Sequence, residues 1–328
     1  MAGPRAASEA SRGQPFEFFG DRVARGTRAR LEVRVARMPQ GSWSSMPVVV
    51  LHGARPGPTM WVSGALHGDE LNGIPITREL VTRIDPAELS GTLIAVPIVN
   101  VFGVINDSRY LPDRRDLNRS FPGSRRGSLA SRLAHLFFES VVMRCSVGID
   151  YHAGSGGRSN LSQIRGDLDD DESRRLARAF AAPLSMHSVP RRGSLREAAA
   201  SQGVTTLLYE TGEASRFDWP GVRIGVAGTL RVMRALGMLA RAPARPPARV
   251  AHVSRASNWV RASRSGFCRV EVELGDRVRA GQTLATVMDS SGYEAVEVPA
   301  RGPGIVIGRL GTALVNRGDA LIHVAEIE

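Results

Sequence analysis

Residues 60–65, 147–150 and 204–209 are apolar runs of strand length. Each leads within a residue or two to a side chain that binds metals or moves protons: His67, His152 and Glu210. Between and beyond them, apolar residues recur at helical spacing over 70–84, 128–143, 171–182, 194–202 and 217–239. Strands alternating with helices specify an α/β sandwich with a largely parallel sheet. In such sheets ligands gather at the carboxyl ends of the strands. The chain therefore predicts one site, assembled from three strand ends. Further strands are expected at 48–51 and 93–99, with a tight turn over 53–58 and an edge strand or hairpin within 15–40.

The loop after the first of these strands reads Ser63-Gly64-Ala65-Leu66-His67-Gly68-Asp69-Glu70. A lone His-x-x-Glu carries little information. Here Arg115-Asp116-Leu117-Asn118-Arg119, Asp150-Tyr151-His152 and Leu208-Tyr209-Glu210-Thr211-Gly212 follow in order. A hydrolytic zinc site needs three protein ligands and one exchangeable water. His67, Glu70 and His152 supply such a set for one zinc per chain. Asp69 and Asp150 read as groups that back the ligands or stabilise the loops. Glu210 follows a buried strand, where an unpaired carboxylate is costly. Facing the metal, it becomes a general base, with Glu213 the weaker candidate. Asn118 and Arg119 offer an amide and a planar fork for a substrate carboxylate. Arg109, Arg114 and Arg115 compete to polarise the scissile carbonyl, and residue type leaves that choice open.

Composition narrows the alternatives. The net charge is +11 and all 43 basic residues are arginine. They are scattered, aromatics make up only 5%, and no nucleic-acid motif appears, so no nucleic-acid partner is expected. No apolar run approaches the roughly 18 residues of a membrane span. The first 14 residues lack the apolar core of a secretory signal. Cys145 and Cys268 are far apart in the chain, as expected in a reducing, cytoplasmic setting. His52 after a strand raises a serine hydrolase, but no Gly-x-Ser-x-Gly elbow exists to complete it.

Residues 240–250 form a linker rich in proline and arginine. Beyond it come short strands and glycine turns, and segments 272–278 and 313–321 look alike. This tail resembles the barrel-sandwich fold of biotinyl and lipoyl carriers. The turn at 288–292 has no lysine to hold a prosthetic group, which excludes a swinging arm. The expected division is a disordered tail over 1–19, a catalytic domain over 20–239, the linker, and a C-terminal β domain over 251–328.

From Val48 to Leu239 the chain resembles the aspartoacylase and succinylglutamate desuccinylase family, distant relatives of the zinc carboxypeptidases. The resemblance rests on Ala65-Leu66-His67-Gly68-Asp69-Glu70-Leu71-Asn72-Gly73, Asp116-Leu117-Asn118-Arg119-Ser120-Phe121-Pro122-Gly123, Asp150-Tyr151-His152 and Tyr209-Glu210-Thr211-Gly212. It implies zinc on His67, Glu70 and His152, a substrate carboxylate on Asn118 and Arg119, and Glu210 as general base. Arg109-Tyr110 is similar to the Arg-Tyr pair that precedes Asp-Leu-Asn-Arg in aspartoacylases, at a longer spacing here. That similarity implies Arg109 at the reacting carbonyl. The implied fold is a zinc-carboxypeptidase-like α/β/α sandwich with a central, mostly parallel mixed sheet, plus a small C-terminal β-barrel. The implied activity is hydrolysis of the amide of a small-molecule N-acyl amino acid. Family substrates include N-acetylaspartate, N-succinylglutamate and N-acetylated diaminobutyrate. Arg158, Arg165, Arg191 and Arg192 are candidates to line the pocket, and Tyr293 to close over it. The alternative is a metallocarboxypeptidase acting on small peptides. An enclosed pocket favours the deacylase and an open groove the peptidase. A homo-oligomer is compatible with either.

Overall fold

The computed structural model describes residues 14–240 and 252–327. Residues 1–13 and nearly all of the linker lie outside the described residues. Within the expected tail, Phe16–Phe18 pairs with Asp21–Val23 as a strand, and Phe18 is fully buried. A phenylalanine with a core to enter anchors a segment that its small, polar neighbours would leave frayed.

Four parallel strands form the centre of the sheet, in the order Thr205–Glu213, Val147–Gly154, Arg55–Ser63 and Ser90–Val96. Trp43–His52 and Thr27–Arg37 extend it antiparallel on one side. On the other side Arg158–Gly166 runs antiparallel to Thr205–Glu213. Gly304–Leu310, Ala320–Ala325 and Ser257–Arg261 then continue the same sheet, again antiparallel. Three shorter strands branch from this path, making thirteen among the described residues. The sheet is therefore mixed, and its parallel part is confined largely to the middle. Short connections, as between Thr27–Arg37 and Trp43–His52, cannot form crossovers and leave their strands antiparallel.

The expected closed C-terminal barrel is not found among the described residues. Its strands divide between the central sheet and a separate four-stranded sheet of Ala295–Pro299, Thr283–Met288, Gly266–Val270 and Leu314–Val315. Gly304–Leu310 pairs with Ala320–Ala325 on one edge; on the other its first residues meet Arg277–Val278 and its last three meet Arg158, Ser159 and Asn160, which joins it to the central sheet.

Alternation along Met60, Trp61 and Val62 sends Trp61 into one core and its neighbours into the other. The Trp61 core packs under helices Leu129–Ser140 and Leu195–Ser201. The opposite core packs under Gly73–Arg83, Asp171–Phe180 and Trp219–Ala235. Trp61 meets the edge of Phe137 at 5.7 Å and lies over Gly148, where an added Cβ would stand 1.9 Å from the indole. The segment expected to turn over 53–58 is mostly strand, since Arg55–Ser63 already includes Pro56 and Pro58. Both prolines sit at a register irregularity, where no ladder donor is needed. No helix among the described residues is long and apolar enough to cross a membrane.

Candidate metal centre and active site

The loop after Arg55–Ser63 does not enter its helix at Glu70, as the periodicity predicts. The helix begins at Gly73, with Pro75 in its first turn, where its missing N–H costs nothing. Asn72 bridges this loop to a second one. It donates to the Thr211 carbonyl at 3.0 Å and accepts from the Asp218 N–H at 2.8 Å. The freed loop brings His67 and Glu70 to the end of Val147–Gly154, which carries His152.

The three side chains are buried and their ligand atoms lie within 4.8 Å of one another. Both imidazoles turn Nδ1 to the same carboxylate. His67 Nδ1 stands 2.7 Å from Glu70 Oε1, and His152 Nδ1 stands 2.7 Å from Glu70 Oε2. Each outer nitrogen is backed by an aspartate: His67 Nε2 by Asp116 Oδ1 at 3.2 Å, His152 Nε2 by Asp150 Oδ2 at 2.7 Å. A carboxylate on the outer nitrogen fixes the tautomer that leaves the inner nitrogen free to bind a cation. Ser63 Oγ in turn donates to Asp150 at 2.6 Å. Asp150 thus stands behind His152, tied to it and to Ser63. Asp69 lies beside the site without touching an imidazole; its backbone carbonyl accepts from the Ser215 N–H.

Carboxylates flank both imidazoles. Burial works against protonating His152, but Asp150 and Glu70 outweigh it and hold its pKa well above the ordinary value. Burial likewise opposes His67, and Glu70 and Asp116 overcome it to raise its pKa. Burial would raise Glu70, yet the two imidazoles hold it well below the usual carboxylate range. A pocket that holds two protons this firmly has the donors and the field for a divalent cation. Asp167, Asp169 and His187 also approach one another. There Asp169 engages Arg255 at 2.8 Å, and His187 Nδ1 accepts the Leu168 N–H.

The tertiary fold separates the three competing arginines. Arg109 reaches Glu70 Oε1 at 3.2 Å, Asp116 Oδ2 at 2.9 Å and Ser155 Oγ at 2.9 Å. Arg114 and Arg115 are exposed and do not line the cleft. Asp116 therefore positions both His67 and Arg109, a role that sequence reasoning missed although the residue lay within a quoted motif.

A cleft of about 570 Å³ opens over this centre. Glu210 lines it and lies opposite His152 in the parallel pairing, with Asn160 Nδ2 donating to its Oε2 at 2.9 Å. Glu213 bonds Ser159 instead and is outside the cleft. Asn118 and Arg119 also line it, the Asn118 Oδ1 accepting from the Leu195 N–H at 2.9 Å. Of the four downstream arginines, Arg158, Arg165 and Arg191 reach the cleft and Arg192 does not. Arg196, unforeseen, joins them. Tyr293 is 92% exposed and does not reach the site. The C-terminal strands contribute Ser257, Trp259 and His323 to the wall instead. Trp259 stacks on His323 at 4.4 Å and carries the Arg158 guanidinium at 5.4 Å. His52 is remote from the cleft, bonded to Thr92 and the Gln14 carbonyl.

Residues 56–236 match the family profile described as the succinylglutamate desuccinylase/aspartoacylase catalytic domain. The N-alpha-acetyl-L-2,4-diaminobutyric acid deacetylase of Halomonas elongata is 30% identical over 308 residues, covering 88% of each chain. A crystal structure of a succinylglutamate desuccinylase/aspartoacylase from Rhodobacter sphaeroides superposes with a TM-score of 0.83 at 26% identity. The match covers 92% of this chain and 96% of that one. The product-bound ectoine utilization protein EutE (DoeB) of Ruegeria pomeroyi gives 0.81 at 25% identity, over 92% and 94%. The profile match over more than half the chain and a relative aligned along nearly all of it establish that the chain belongs to the succinylglutamate desuccinylase/aspartoacylase family.

Proposed function

We propose that this protein is a zinc-dependent deacylase that hydrolyses the amide bond of a small N-acyl amino acid, releasing a carboxylate and a free amine. One observation carries this reading: two imidazoles and a carboxylate converge on one point, each imidazole braced from behind by an aspartate. His67, Glu70 and His152 would hold the zinc. Zinc bound there supplies Lewis acidity, polarising a carbonyl and acidifying a water.

The chain's own residues supply the rest. Glu210 takes a proton from the attacking water and returns it to the departing amine nitrogen. Asn160 holds the Glu210 carboxylate in place through Oε2. Arg109 donates to the carbonyl oxygen as it gains charge. Asn118 and Arg119 bind the α-carboxylate, a bidentate task suited to a guanidinium. Ser257, Trp259 and His323 close one wall, which supports a small-molecule pocket over the open groove of a peptidase.

The test is a hydrolysis screen on protein of measured metal content. About one zinc per chain and chelator-sensitive amine release from N-acyl amino acids are expected. Cleavage of dipeptides in preference to acyl amino acids would replace the deacylase with the carboxypeptidase.

A further inference from the structure

The chain leaves Thr205–Glu213, the strand that carries Glu210, through Ala214 and Ser215. These two consecutive residues reach three other parts of the site. The Ala214 N–H donates to the Gly154 carbonyl at 2.7 Å, two residues beyond His152. The Ser215 N–H donates to the Asp69 carbonyl at 2.7 Å, between His67 and Glu70. The Ser215 hydroxyl donates to Asp107 Oδ1 at 2.6 Å, two residues before Arg109.

The last of these bonds joins two residues in an uncommon backbone conformation. Asp107 has φ +45° and Ser215 φ +57°, both left-handed. Non-glycine residues rarely enter that region, and those that do cluster at active sites, held there by their surroundings. Both side chains are exposed. Water competes for an exposed hydrogen bond, so this one contributes little to folding. What it fixes is geometry. Glu210 and His152 are set by paired strands, whereas Arg109 stands on a loop beyond the short helix Val101–Ile105. The Arg109 side chain meets Glu70, Asp116 and Ser155. Its loop is registered against the segment after Glu210 by the Asp107–Ser215 bond. A donor to a developing oxyanion is effective only in place, and a misplacement of about 1 Å can cost on the order of 100-fold in rate.

We infer that Ser215 and Asp107 are positioning residues for the reaction: their hydrogen bond holds the loop of Arg109 in register with the loop of His67 and Glu70 and with the base. The inference rests on the deacylase reading. Neither residue is assigned a contact with substrate or metal. Both act through Arg109, and the Ser215 N–H keeps its bond to Asp69 when the hydroxyl is removed.

The experiment measures kcat, KM and zinc content of the full chain on the fastest of N-acetylaspartate, N-succinylglutamate and N-α-acetyl-2,4-diaminobutyrate. Ser215→Ala and Asp107→Ala should each lower kcat about 10- to 100-fold, with KM and zinc content little changed. Asp107→Asn retains an acceptor oxygen and should restore most of the rate. Ser215→Gly relieves the left-handed strain, so it should melt no lower than Ser215→Ala and still lose kcat. In an Arg109→Ala background, Ser215→Ala should cost no more than roughly 2-fold further, since the group it positions is gone. Full additivity of Ser215→Ala with Arg109→Ala would overturn the inference, as would an unaltered rate in Ser215→Ala. Amide hydrogen exchange over residues 106–111 separates the two readings. Should the unaltered chain hydrolyse none of the three amides, the deacylase falls. Faster exchange there in Ser215→Ala, but not in Asp107→Asn, would then keep the tie between the loops, and equal exchange in both variants and the unaltered chain would sink it too.

Discussion

Glu210 and His152 are direct neighbours in the pairing of two parallel strands, so the carboxylate proposed as the base and an imidazole of the metal-type cluster share one rung of the sheet. The strands run the same way, and both side chains therefore emerge at the same end of the sheet. The geometry belongs to the backbone and does not depend on loop conformation.

This relationship separates metal binding from proton transfer. Glu210→Gln keeps the shape and the Asn160 contact but removes the base. Metal content should remain near one per chain while kcat falls about 10²- to 10⁴-fold. Metal analysis with single-turnover kinetics checks it, and activity near the original level would remove the general-base assignment.

Asp116 braces His67 and pairs with Arg109. Asp116→Asn should weaken zinc affinity about 10- to 100-fold, measured by competition with a chromogenic chelator. Unchanged affinity would mean that Asp116 serves Arg109 alone.

The two imidazoles set opposite pH trends with and without metal. His67 and His152 have folded-state pKa values above the unfolded value of 6.5. Their contribution to the metal-free fold is full below 6.5 and is lost as pH rises through the raised values. Metal must displace those protons, so its affinity rises over the same range. Melting temperature of the metal-free protein should therefore fall as pH climbs above about 6.5, and saturating zinc should oppose that fall. A metal-free melting temperature that rises over this interval would contradict the assignment.

Gly148 leaves room for the Trp61 ring. Gly148→Ala should destabilise the protein by about 1–3 kcal/mol through overpacking, read by thermal or urea melts. Adding Trp61→Leu should recover part of the loss. No recovery would place the strain elsewhere.

Much of this site was legible because its parts lie where short apolar runs stop. His67 follows a strand while His152 and Glu210 lie near the carboxyl ends of theirs, and local pattern suffices to bring all three into view. Choosing Arg109 over Arg114 and Arg115 needed the tertiary fold, since all three are alike in type and close in sequence. Asp116 was in view but its two partners were not. Ser257, Trp259 and His323 were hidden for a different reason. The C-terminal strands read correctly as strands, but which edge they would join is a non-local property of pairing. The barrel-like repeat pointed them toward each other, whereas part of them continued the central sheet.

Gly308, close to the end of the chain, pairs with Asn160, and Asn160 holds Glu210. An added Cβ on Gly308 would stand 3.2 Å from the Asn160 amide oxygen. Any shift of Gly304–Leu310 thus reaches Glu210 after one backbone rung and one side-chain hydrogen bond. The seating of that carboxylate is therefore shared between the catalytic strands and the C-terminal ones.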